Sequence, residues 1–192
     1  MMVFNERNIF FTCLFTLMPS FMKVVMTYGT KSSIKTSITN GVIVGGERIG
    51  SFIYESNKNN DILLSSRSDP FPAENSFGPI YLCTRNDDLE AIIMKTPNNR
   101  RADLVFLQNG MLGPYLNSKG LPENTQGLIY FAVSKKGEKP IDGITDVNPE
   151  GQTCVTGKWA NDFTERMKTA GLTCHALEKD PLKVKMVIID TL

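Results

Sequence analysis

The stretch Gly41–Arg67, GVIVGGERIGSFIYESNKNNDILLSSR, constrains the fold more than any other part of the chain. Val42-Ile43-Val44 is a short β-branched apolar run, the pattern of a fully buried strand. Gly45-Gly46 interrupt it. The apolar period then changes from two to that of a helix, with Ile49, Phe52 and Ile53 at i, i+3 and i+4. Asn57–Asn60 end this helix in a polar turn. Ile62-Leu63-Leu64 make a second buried strand, which closes on Ser65-Ser66-Arg67. Strand, glycine turn, helix and strand in this order form the βαβ unit that opens a dinucleotide-binding α/β fold.

The glycine turn has a chemical task in such a unit. A cofactor diphosphate needs bare backbone N–H donors and the positive end of a helix dipole. In the pattern G-x-G-x-x-G, Gly45 and Gly50 fill the first and third glycine positions, with Gly46, Arg48 and Ile49 between them. Glu47 stands at the second, where a side chain and a negative charge oppose the phosphates. If its carboxylate swings out, Arg48 is near enough in sequence to offset it. Gly45 and Gly50 would also be needed for turn and helix packing alone. An acidic residue about 20 positions past the first glycine would bond the ribose 2′-hydroxyl of NAD. Ser65, Ser66 and Arg67 occupy that place, and hydroxyls beside a guanidinium suit a 2′-phosphate. NADP is therefore expected over NAD, the alternative being that Arg67 is a solvated surface arginine.

The 192 residues are 41% hydrophobic, enough for one domain with a substantial core. A formal net charge of +1 argues against a nucleic-acid surface. Cys13, Cys83, Cys154 and Cys174 lack CxxC spacing, so neither a disulfide framework nor a metal site is expected. The single histidine, His175, lies in a predicted strand and reads as structural.

Residues 1–40 read as an extension outside the fold. Ile9–Val25 is apolar but broken by Pro19 and Lys23, which argues against a stable membrane span. It resembles a signal-type core after Arg7, and Thr27–Asn40 is rich in Ser and Thr with lysines and no acid. The pair is compatible with import into a plastid or other organelle. An unprocessed disordered extension of a cytoplasmic protein, or a start codon placed too early, stays open.

After Arg67, the segment Ser68–Gly78 with Pro70 and Pro72 predicts a crossover loop. Ile80–Cys83 predicts a third strand ending at Thr84-Arg85, and Asn86 or Asp87 caps a helix whose apolar positions are Leu89, Ile92 and Ile93. Pro97–Arg101 is a polar turn, and Ala102–Leu107 a fourth strand followed by Gln108-Asn109-Gly110. In an open parallel sheet, carboxyl ends of strands form the ligand crevice. Thr84, Arg85 and Asn109 should thus face the same cleft as Gly45 and Arg67. Gln126–Ser134 predicts a fifth strand, Lys135–Lys139 a charged turn, and Ile141–Val147 with Thr153–Thr156 a hairpin. Lys158–Ala170 predicts a helix with Trp159, Phe163 and Met167 at i, i+4 and i+8, stopped by Gly171. Leu172–Leu177 is a last strand, and Pro181 opens another helix. The expected layout is an extension over 1–40, an NAD(P)-binding, Rossmann-type, doubly wound and mostly parallel sheet over 41–178, and the start of a second domain over 179–192.

The LQNGM run after the fourth strand, the NDD helix start behind a basic residue, and the late AGLTCHALEKD strand resemble the amino-terminal domain of ketopantoate reductases. Plant and algal relatives carrying CTRNDDL, VFLQNGML, FAVSKKGEKP and DVNPEG are more similar still. The resemblance covers about Gly41 to Lys185. It implies an NADPH-dependent reduction of a small 2-keto acid between a Rossmann domain and a helical second domain. It implies that Gly45, Gly46 and Gly50 hold the diphosphate, and that Arg67 meets the 2′-phosphate. Arg85 matches a lysine near cofactor and substrate, and Asn109 an asparagine beside the nicotinamide, so these two are the catalytic candidates. The family's proton-donating lysine would fall a few residues after Met186, where Ile188, Ile189 and Asp190 stand. The second domain's glutamate and serine have no counterpart. The resemblance thus implies an NADP-binding, reductase-like domain that is catalytically incomplete alone. The alternative is a degenerate Rossmann module used in protein interaction without cofactor, motivated by Glu47 and by self-association through apolar residues such as Met186–Ile189.

Overall fold

The computed structural model describes residues 38–143 and 153–179. In these residues seven strands form one sheet: β1 (Val42–Val44), β2 (Ile62–Leu64), β3 (Ile80–Leu82), β4 (Leu104–Phe106), β5 (Thr125–Leu128), β6 (Cys154–Thr156) and β7 (His175–Ala176). Their order is β2-β1-β3-β4-β5-β6-β7. The first five are parallel, β6 runs antiparallel to β5, and β7 runs parallel to β6. Four helices flank the sheet: α1 (Arg48–Glu55), α2 (Leu89–Lys95), α3 (Gly113–Ser118) and α4 (Ala160–Thr169).

Alternation along the strands divides the core in two. Val42, Val44, Ile80, Leu82, Leu104 and Phe106 project to one face, against Leu89, Ile92 and Ile93 of α2 and Leu116 of α3. Ile43, Tyr81 and Val105 project to the other, against Ile53 of α1 and Phe163 and Met167 of α4. Both faces are therefore covered, which is why the central strands read as unbroken apolar runs. The result is a doubly wound, Rossmann-type α/β domain, as the opening βαβ pattern predicts.

The structure alters several elements. β2 is an edge strand, with Ile62 56% exposed. The six-strand dinucleotide-binding order has a further strand outside the second, but Ser65–Pro79 forms no strand here. The expected helix cap at Asn86 or Asp87 is replaced by a 3-10 turn, Asn86–Asp88, and neither that turn nor α2 has a side-chain cap. The polar turn near Pro97 is a 3-10 helix, Asn98–Asp103, with Arg100 buried. The fifth strand ends at Leu128, and beyond it Ala132 pairs with Ile141 in an isolated bridge. The expected hairpin turn, Asn148-Pro149-Glu150-Gly151, lies within 144–152, outside the described residues. Its described strand, β6, pairs instead with β5 and β7. Gly171 does stop α4: its φ is +78° and its N–H donates to the Lys168 carbonyl at 3.0 Å. Cys83, Cys154 and Cys174 form no disulfide with one another.

Thr39, on the extension side of the expected boundary, is bound into the domain. Its N–H donates to Asp162 Oδ1 at 2.5 Å, and its carbonyl accepts from Arg166 Nη2. Residues 1–37 and 180–192, over which a leader, a helix opening at Pro181 and the apolar Met186–Ile189 are expected, lie outside the described residues. No helix among the described residues is long and apolar enough to cross a membrane. No group of three or more His, Cys, Asp or Glu among them is placed to hold a metal.

Candidate active site at the carboxyl ends of the parallel strands

The chain leaves β1 for α1, which returns it to β2 on one side, and later leaves β3 for β4 on the other. The order therefore reverses between β1 and β3. Val44, Leu64, Leu82 and Phe106 share one level across the four strands. The residues after them form the rim of the crevice where open α/β sheets bind ligands.

The glycine turn is shaped by close approach. Gly45 has φ +106°, and a Cβ there would meet the Cys83 carbonyl oxygen at 2.8 Å. A Cβ on Gly50 would lie 1.7 Å from the Gly45 carbonyl oxygen. Only glycine at 50 lets the first turn of α1 dock on the loop, the packing role of the third glycine in the fingerprint. Gly46 is pressed against Ser65. These contacts bring β1, α1 and the ends of β2 and β3 together at one point. In the first turn of α1, the Arg48, Ile49 and Gly50 N–H groups have no acceptor within the helix. The next, of Ser51, is taken by the Glu47 carbonyl at 2.9 Å.

Glu47 is the N-cap residue, exposed and extended, and its carboxylate caps nothing. The expected compensation from Arg48 is not formed. Arg48 Nη1 instead donates to the Val133 carbonyl at 3.3 Å, and no Glu47–Arg48 ion pair is present among the described residues.

Arg67 lies in the loop after β2, its side chain 90% exposed, with Nη2 2.8 Å from Asp88 Oδ1. The Lys95 ammonium donates to the Arg67 carbonyl at 2.8 Å. The Ser66 N–H donates to Asp69 Oδ2 at 2.8 Å, closing a tight turn. The basic loop is therefore held over α2.

Thr84 follows β3, with its methyl group next to Gly45. Arg85 and Asn109 are exposed on the loops after β3 and β4, at the mouth of the same crevice. Burial pushes the thiol of Cys83 up to about 12, so it is a neutral wall at neutral pH.

One site residue escapes a reading of the sequence alone. Gln108 is only 7% exposed. Its Nε2 donates to the carbonyls of Leu82 at 2.9 Å and Thr84 at 3.2 Å, bracing the end of β4 to that of β3. Gln108 Oε1 and Thr84 Oγ1 are both buried without a hydrogen-bond partner among the described residues. The LQNGM motif contains Gln108, but only the fold shows that its side chain turns inward.

The fold and this crevice define the class: a Rossmann-type α/β domain with a glycine turn at its switch point. No family model matches the sequence, and no protein of curated function matches it. Among solved structures, the chain is similar to the dimeric ketopantoate reductase of Staphylococcus aureus, with 14% identity and a TM-score of 0.46 over 72% of this chain and 55% of that one. It is similar also to an arogenate dehydrogenase of Synechocystis, at 13% identity and a TM-score of 0.49 over 73% and 60%. A D-mandelate dehydrogenase solved with NADH and anilino(oxo)acetate matches at 15% and 0.48 over 72% and 57%. The chain thus spans between 55% and 60% of the length of these structures. Likeness at this level carries no functional weight.

Proposed function

We propose that the crevice binds a nicotinamide dinucleotide, NADP(H), as the cofactor half of a reductase site for a small 2-keto acid. The observation that carries this reading is the seat of Gly50 against the Gly45 carbonyl, which puts the first-turn N–H groups of α1 at the switch point. Donors in that position suit a diphosphate. The buried acceptor on Gln108 and the hydroxyl of Thr84 suit a ligand with its own N–H and O–H groups. When bound, the nicotinamide would supply a hydride. Asn109 and Arg85, at the mouth, would orient a keto oxygen and a carboxylate.

The preference for NADP follows from Arg67. Its exposed pair with Asp88 contributes about 0–1 kcal/mol, whereas a charge-assisted bond to a phosphate contributes about 1.5–3 kcal/mol. A 2′-phosphate therefore displaces Asp88 with a net gain. Amides, a hydroxyl and a guanidinium orient a substrate but do not protonate an alkoxide at neutral pH. Binding without appreciable turnover is accordingly the proposed activity of this chain on its own.

Titration of the purified chain with NADPH, followed by quenching of nicotinamide fluorescence, tests the reading. Saturable binding is expected, with Arg67→Ala weakening NADPH roughly tenfold and NADH much less. No binding at about 1 mM NADPH refutes it. One observation favours a second reading, a module that has lost its cofactor: an exposed glutamate, Glu47, is the N-cap of α1, the end of the helix that a diphosphate would approach.

A further inference from the structure

The amide of Gln108 cannot be turned around. Its nitrogen faces two carbonyl oxygens, at 2.9 and 3.2 Å. Exchanging the ends would set oxygen against oxygen twice. The buried Oε1 is thereby fixed as an acceptor, and no donor reaches it among the described residues. Thr84 Oγ1 is buried and unpartnered on the same stretch of rim. Native proteins leave few such groups, because each costs free energy until a partner arrives. Gln108 Oε1 therefore needs a ligand that brings a donor, and the Thr84 hydroxyl can pair with the same ligand as donor or acceptor. Phosphates, which are acceptors, do not answer that need.

Place in the fold narrows the donor further. Arg67 at the end of β2 marks the adenosine side of the crevice. Gln108 and Thr84 sit on the opposite side of the switch point, at the ends of β4 and β3. We infer that Gln108 and Thr84 form a donor-reading subsite for the nicotinamide nucleoside half, Gln108 Oε1 accepting from its carboxamide N–H or ribose O–H and Thr84 Oγ1 completing the contact. The inference rests on the proposed cofactor reading. It adds a positioning pair that discriminates an intact nicotinamide nucleotide from its adenosine fragment.

Thr84→Val and Gln108→Met test it, with NADPH and 2′,5′-ADP titrated against each variant and the parent. Thr84→Val swaps an unpartnered hydroxyl for a methyl of the same shape, so its thermal stability should equal or exceed the parent's. Each variant should lose about three- to tenfold in NADPH affinity and retain its 2′,5′-ADP affinity. If Thr84→Val, stable and folded, binds NADPH as tightly as the parent, the subsite is refuted while the cofactor reading stands. If the parent binds neither NADPH nor 2′,5′-ADP, both fall. Gln108→Met removes two backbone braces, so instability there leaves the decision to Thr84→Val.

Discussion

Position 47 decides how well the glycine turn can serve an anion. A glutamate at an N-cap interacts favourably with the helix dipole, by about 0.3–1 kcal/mol. Glu47 adds no capping bond to this, and glycine is itself an acceptable N-cap. Glu47→Gly should therefore change stability by less than about 1 kcal/mol. Its effect on NADPH should be larger. At roughly 5 Å in a medium between water and protein surface, repulsion between the carboxylate and a diphosphate is on the order of 1–3 kcal/mol. The expected gain in affinity is about tenfold at low salt, shrinking toward 1 M salt as screening shortens the interaction. Equal affinity with and without Glu47 would mean that the carboxylate already turns into solvent. This residue was legible in the sequence as a departure from the fingerprint. Its lack of compensation was not, because the direction of Arg48 depends on where Val133 lies in the folded chain.

Elements with strong apolar periodicity, β1, α1, β3, α2, β4 and α4, are legible because burial alone dictates them. Elements whose identity depends on neighbours are less so. The edge position of β2 reflects a strand that the Ser65–Pro79 loop does not form, and Ile62 itself gives no sign of it. The turn at Asn98–Asp103 is a clearer case, since its charges read as solvated. Folded, Arg100 is buried, donating to the Gly78 carbonyl at 2.7 Å and pairing with Asp103 at 2.8 Å. Lys158 holds the other Asp103 oxygen at 2.7 Å, and Trp159 Nε1 donates to it at 3.2 Å. This staple joins the start of β4 to the start of α4. Burial raises the Asp103 pKa, but Lys158 and Arg100 outweigh it and hold the carboxyl below its usual range. A carboxyl with a depressed folded pKa contributes stability above its unfolded value near 4, lost as pH falls through the folded value. Between pH 5 and about pH 2, the parent should lose more urea stability than Asp103→Asn, and above pH 5 the variant should be the weaker by a constant amount. Parallel curves through the acid range would show that Asp103 does not couple folding to protons.

The crevice at one end of the sheet is matched by a charged knot at the other. Arg166 of α4 is fully buried. It pairs with Asp61 before β2 and, at 2.9 Å, with Asp162 one turn earlier. The Tyr81 hydroxyl of β3 donates to Asp162 Oδ2 at 2.6 Å, and the Arg166 guanidinium lies 4.9 Å from the Tyr81 ring centroid. Asp61 Oδ1 accepts the Gly41 N–H at 2.8 Å, fixing the entry to β1. Burial alone would lower the Arg166 pKa, but the Asp61 hydrogen bond and the surrounding charges raise it. Burial drives the Tyr81 hydroxyl well above its usual range, so it stays a donor at any working pH. In sequence these residues are 105 positions apart at the widest ion pair, and nothing local marks them as partners. Removing one member of a buried network leaves its counter-charges unpaired and costs about 3–5 kcal/mol. Arg166→Met should therefore lower the melting temperature by about 6–20 °C for a domain of this size. Arg166→Lys keeps the charge but cannot serve Asp61, Asp162 and Thr39 together, and should fall between. The knot and the crevice lie at opposite ends of strands roughly 10 Å long. In the temperature range where it is folded, Arg166→Lys should thus bind NADPH like the parent, with the loss confined to stability. A melting temperature for Arg166→Met within about 3 °C of the parent, under 1.5 kcal/mol, would mean that water replaces the guanidinium and that the strands are held in register by the apolar core alone.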